Sequence, residues 1–142
     1  MKKLIIAAAF ILIAGVAFGQ TLQKGSILGV HLIEVTLDPD VTYNQWENFA
    51  LNTYLPAYNE GFQGDIEFYS TKVDRGDDEN GIGIIYVFKS VEVRAKYFTP
   101  EGAVTELFTS MNDKIMLTIA DEMSKLGTSN YTRLHYNDWL IQ

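Results

Sequence analysis

The order in which strand-like and helix-like periodicities follow one another constrains this chain more than any other feature. Ile27 to Leu37 (ILGVHLIEVTL) is rich in branched aliphatics with polar residues interspersed, and reads as a strand. Asp38-Pro39-Asp40 stops it. Thr42 and Gln45 then have the Thr-x-x-Gln spacing of a capping box at a helix entry. Trp46, Phe49, Ala50 and Thr53 form the apolar stripe of that helix, and Pro56 is expected to end it. Gly61 and Gly64 mark the following loop. Asp65 to Val73 alternates as a half-buried strand, and Asp74 to Gly81 is a polar hairpin loop. Ile82 to Phe88 (IGIIYVF) is the most apolar stretch and the best central strand. Ser90 caps a short helix through Tyr97, with Pro100 and Gly102 as a break. A longer helix carries Val104, Leu107, Phe108, Met111, Ile115, Ile119 and Met123 on one face, with Gly127 at its C-terminal end. Tyr131 to Leu140 is the last strand.

This β-α-β-β-α-β order predicts an α+β, ferredoxin-like domain: a four-stranded antiparallel sheet with the helices on one face. In that topology the start of the first strand lies beside the end of the last.

Residues 1–19 stand apart from the domain. Met1-Lys2-Lys3, the uncharged apolar run Leu4 to Val16 and Ala17-Phe18-Gly19 have the layout of a secretory signal peptide, too short for a membrane span. We expect an exported protein, periplasmic or secreted, with a lead-in over 20–25 and one domain over 26–142. Cys is absent, which excludes disulfides, thiolate metal sites and a cysteine nucleophile. The domain therefore stands on its core alone. The 142 residues carry 11 basic against 18 acidic groups, net −7, and losing Lys2 and Lys3 makes the balance more acidic. With no basic run, nucleic acid and anionic membrane surfaces are excluded as partners. No phosphate loop, Ser/His/Asp order or metal-ligand cluster is present, so neither a metal nor an organic cofactor is expected.

Two histidines remain to carry chemistry, His31 and His135. The run His31, Ile33, Val35, Leu37 is more apolar than its alternate and is expected to face the helices. In the last strand the same reasoning selects Thr132, Leu134, Tyr136, Asp138 and Leu140. Antiparallel pairing then brings Asp138 to His31, and a carboxylate beside an imidazole suits a general base. The competing reading is a structural histidine on an apolar face, with Asp138 anchoring a strand end. Trp46 and Phe49 read as core. Tyr54, Tyr86, Tyr97 and Tyr136 are equally compatible with core and with the wall of a slot between helices and sheet.

Three stretches carry a resemblance. His31-x-Ile33-x-Val35-x-Leu37-x-Pro39-x-Val41-Thr42 looks like the opening of the dimeric α/β-barrel (Dabb) stress-response family. Phe88-Lys89-Ser90-Val91-Glu92, followed by Tyr97 and Pro100, is similar to that family's third-strand exit and next helix. Asp138-Trp139 is similar to the end of its last strand. The turn Lys72-Val73-Asp74-Arg75-Gly76 also looks like one in small exported proteins of Gram-negative bacteria. The resemblance implies a homodimer whose two sheets join into a barrel. By analogy with the family's plant polyketide cyclases, which need no cofactor, it implies acid/base roles for His31, Asp138 and Tyr97. The helix histidine of those cyclases is missing here, where Thr99, Pro100, Glu101 and Gly102 stand.

Two function classes follow. One is a dimer binding a small apolar or aromatic ligand beside Ile33, Tyr54, Tyr86 and Tyr136, with cofactor-free acid/base chemistry centred on His31. The other is a non-catalytic structural or interaction dimer whose slot is filled by its own side chains.

Overall fold

The chain is α+β, and its four-stranded sheet is antiparallel throughout. The computed structural model describes residues 22–75 and 82–142. The expected signal peptide over 1–19, residues 20–21 of the lead-in and the hairpin tip 76–81 lie outside the described residues.

Four strands, β1 (Ile27–Thr36), β2 (Ile66–Lys72), β3 (Ile82–Phe88) and β4 (Asn130–Leu140), form one sheet in the order β2-β3-β1-β4. Between β1 and β2 run α1 (Tyr43–Phe49), a π-helical turn (Ala50–Tyr54) and α2 (Leu55–Gly61). Between β3 and β4 run α3 (Val91–Tyr97), α4 (Glu106–Thr118) and α5 (Ala120–Ser124). The core gathers Ile27, Ile66, Phe68 and Phe88 from one sheet face against Leu55, Tyr58, Phe62, Tyr97, Phe98 and Ile115. β1 follows the expected alternation, with Ile27, His31 and Ile33 buried on that face. The chain ends are tied together: Gly25 N–H donates to the Ile141 carbonyl at 2.8 Å, and Ile141 N–H to that of Ser26 at 2.9 Å.

Local signals account for the helix starts. The Thr42 hydroxyl accepts from the Gln45 N–H at 3.3 Å, and the Gln45 side chain accepts from the Thr42 N–H at 2.8 Å, a complete capping box. The Ser90 hydroxyl accepts from the Val93 N–H at 3.3 Å and caps α3.

Three expectations are corrected. Pro56 does not end the first helix. Its missing N–H and its ring would disrupt an α-helical turn, but a π turn precedes it, in which Leu55 N–H bonds to the Ala50 carbonyl. The helix continues with Pro56 in the first turn of α2, where proline is tolerated. The inserted residue also rotates the inner stripe, so Tyr54 and Leu55 replace Thr53 in it. The second helix is not continuous to Met123. It breaks at Ile119, whose backbone leaves the helical region (φ −110°, ψ 6°), and Val104, Leu107 and Met123 are exposed. Finally, β4 carries a bulge. Leu32 pairs with His135, but Ile33 pairs with Arg133, so β4 has one residue too many at Leu134. A bulge re-aims every side chain beyond it. Tyr136 and Asp138 keep the helix-facing side, whereas Arg133 and Tyr131 move onto it in place of Leu134 and Thr132.

Candidate functional site

The sheet face under the helices carries two separate features, a closed polar slot at the Ile27 end and an open cavity at the Ile33 end. His31 belongs to the first. It is 8% exposed, with the Tyr86 ring centroid 4.4 Å away on one side and Tyr136, its β4 pairing partner, 5.5 Å away on the other. The Arg133 guanidinium sits 4.7 Å from the Tyr136 ring centroid and extends the stack. Burial, then the nearby Arg133 charge, hold the His31 pKa below its ordinary value, and the Asp138 carboxylate opposes them without prevailing.

His31 and Asp138 share this slot but not a hydrogen bond. Asp138 pairs across the ladder with Gly29, diagonal to the His31–Tyr136 pair. A Cβ placed on Gly29 would lie 3.0 Å from Asp138 Oδ1 and 3.6 Å from His31 Nε2, so the two groups converge over the bare glycine. The carboxylate is taken by Arg94 of α3. Arg94 Nε donates to Asp138 Oδ2 at 2.8 Å, and a terminal guanidinium nitrogen lies 2.6 Å from the same oxygen. The other terminal nitrogen donates to the Thr99 carbonyl at 2.9 Å. Gly102, at φ +84°, lets the loop press on the Tyr136 hydroxyl where any Cβ would collide. Phe88 and Phe98 complete the walls, and the remaining space is about 10 Å³.

Tyr97 does not join His31. Its hydroxyl donates to Asp65 Oδ2 at 2.8 Å, an oxygen that also accepts from Lys96 Nζ at 3.1 Å, and its ring meets Phe62 edge-on. Burial and this carboxylate push the Tyr97 phenol up to about 12. The expected grouping of His31, Asp138 and Tyr97 is therefore corrected to two clusters: His31 with Asp138 and Arg94, and Tyr97 with Asp65 and Lys96.

The cavity at the other end holds about 330 Å³. Of the residues named as a ligand wall, Ile33 and Tyr54 line it, and Tyr86 and Tyr136 flank His31. Trp46, Phe49 and Ala50 open onto it from α1 and the π turn, so the two aromatics read as core also wall this space. Its far side is Met116, Leu126 and the re-aimed Tyr131. Tyr54 stacks on Tyr58 with centroids 4.3 Å apart, and burial pushes both phenols up. The Tyr58 hydroxyl donates to Asn112 Oδ1.

Sequence reasoning missed Arg94, Arg133 and Asn112. Asn112 left a legible trace, since it stands four residues after Phe108 and four before Met116 on an otherwise apolar helix stripe. Arg94 and Arg133 left none, because only the fold carries Arg94 to Asp138 and only the bulge turns Arg133 inward. Among the described residues no group of three His, Asp or Glu side chains is placed to hold a metal, and no helix is long and apolar enough to cross a membrane. No family model, curated protein or solved structure matches the chain.

Proposed function

We propose that this protein is an exported homodimer that binds a small apolar or aromatic molecule between its helices and its sheet. The cavity of about 330 Å³ beside Ile33 and Tyr54 carries this reading. It falls in the size range of small-molecule sites, and its walls are mostly apolar and aromatic with a few polar groups. The filled slot around His31 supports binding without acid/base chemistry at that residue. His31, Asp138 and Arg94 instead pin β4 and α3 to the Ile27 end of the sheet.

The element order and the strand order β2-β3-β1-β4 support a ferredoxin-like domain of the Dabb type. Support for the dimer comes from two surfaces. The face away from the core carries Leu28, Val30, Leu32, Ile85 and the exposed Trp139, and β4 is exposed along all of its residues. An apolar sheet face with a long free edge calls for a cover, and a two-fold copy is the commonest one. Export rests on the basic start, short apolar run and Ala-x-Gly of residues 1–19.

The binding claim is tested with N-phenyl-1-naphthylamine, an uncharged dye that fluoresces in apolar surroundings. A saturable signal with one site per chain, lost in Ala50→Phe, which fills the cavity, is the expected result. Absence of saturable binding, or binding that Ala50→Phe leaves intact, contradicts it.

A further inference from the structure

We infer that the cavity selects an uncharged ligand of about two fused rings whose single oxygen accepts a hydrogen bond from the Asn112 side-chain amide. This inference rests on the ligand-binding reading above.

Size sets the first limit. An apolar cavity of about 150 Å³ holds one benzene ring, and this one offers about 330 Å³. Charge sets the second. Among the described residues that line the cavity, none is Asp, Glu, Lys, Arg or His. Its polar groups are the neutral side chains of Ser70, Asn112, Ser129 and Asn130, the Trp46 indole N–H and the tyrosine phenols. Burial pushes the Tyr54 and Tyr58 phenols up from their ordinary value, which marks the space as poor at solvating charge. An ionised ligand would leave its hydration shell and find no counter-charge.

Asn112 sets the third limit. Its Oδ1 accepts from the Tyr58 hydroxyl, and this fixes the amide so that Nδ2 is the free end. No acceptor among the described residues takes its N–H groups. No sealed-off side-chain nitrogen or oxygen lacks a partner either, so Nδ2 keeps accessible surface, and Asn112 is among the cavity-lining residues. The Ser129 oxygen accepts from the Asp38 N–H at 2.8 Å, and its O–H rotates to suit a ligand. The Ser70 hydroxyl can rotate to give or accept. Asn112 presents a donor whose orientation a neighbouring side chain sets, and the complementary ligand group is a carbonyl or ether oxygen rather than an anion.

Three naphthalenes of nearly one shape test this on the full mature chain by displacement of N-phenyl-1-naphthylamine at pH 7. They are 2-acetylnaphthalene, 2-isopropenylnaphthalene and 2-naphthoate. The ketone should bind about fivefold more tightly than the hydrocarbon, the worth of one net hydrogen bond. It should bind at least about a hundredfold more tightly than the carboxylate. In Asn112→Leu, checked for fold by circular dichroism, the hydrocarbon should bind as before and the ketone should lose its advantage. Equal binding of ketone and carboxylate would overturn charge selection while leaving ligand binding in place. A ketone preference surviving in Asn112→Leu would overturn the donor role. If that variant does not fold, equal affinity of the wild-type chain for ketone and hydrocarbon overturns the donor role instead. Failure of all three to bind would overturn the binding reading, and this inference with it.

Discussion

Asp138 is held by Arg94, through a 2.8 Å hydrogen bond from Nε and a 2.6 Å contact from a terminal nitrogen, and not by His31, although both approach the same bare glycine. The side chains are half-buried, so removing one partner leaves the other partly desolvated and unpaired. Arg94→Met is expected to lower stability by about 1–3 kcal/mol in chemical denaturation. It should also raise the His31 pKa, read from its ring resonances by NMR, because the freed carboxylate then favours the imidazolium. An unchanged His31 titration would show that Asp138 is too far away to matter.

His31 itself should make stability depend on pH. Its folded-state pKa lies below the ordinary value of 6.5, so the unfolded chain takes up the proton more readily. The contribution is complete above about 6.5 and is lost as pH falls from there through the lower folded value. Between pH 8 and 5, Tm should fall more steeply for the wild-type protein than for His31→Phe. Parallel curves would contradict the assignment.

How far the sequence reached depended on whether a feature is local. The Thr42–Gln45 box, the Ser90 cap, the β3 limits and the antiparallel meeting of the β1 start with the β4 end were all legible. Each rests on a few neighbouring residues or on simple alternation. The π turn before Pro56 and the bulge at Leu134 were not, because each adds one residue to a repeat, which turns the helix stripe in the first case and reverses the strand parity downstream in the second. The site suffered most from this. Arg133 and Tyr131 were assigned to the wrong face, and the empty space lies by Ile33 rather than by His31.

The cavity wall at Leu126 and Ser129 is clasped to the β1 exit. Asp38 Oδ2 accepts from the Thr128 N–H at 2.8 Å and from its hydroxyl at 2.7 Å, and the same carboxylate covers Gly127, which is left-handed at φ +57°. These bonds hold the Asp38 pKa below 3.8. The clasp is therefore complete at neutral pH and loosens as pH falls below that value. Asp38→Ala should speed amide hydrogen exchange at Thr128 and Ser129 at pH 7. Unchanged exchange would remove the clasp from the account.

Trp139 is 58% exposed on the face away from the core, where it pairs across the ladder with Leu28. A charge there opposes burial against a second copy. In sedimentation at micromolar concentration the wild-type chain from Gln20 on should run as a dimer, and Trp139→Arg as a monomer with unchanged circular dichroism. A wild-type monomer would contradict the proposed dimer.

The central claim is that the space between the π-turn helix and the sheet is a ligand site, and a crystal structure of the protein soaked with N-phenyl-1-naphthylamine tests it most directly. Ring density against Ile33, Trp46 and Tyr54, with the His31 slot unchanged, is the expected result. An empty cavity at saturating dye, or density only beside His31, would contradict it.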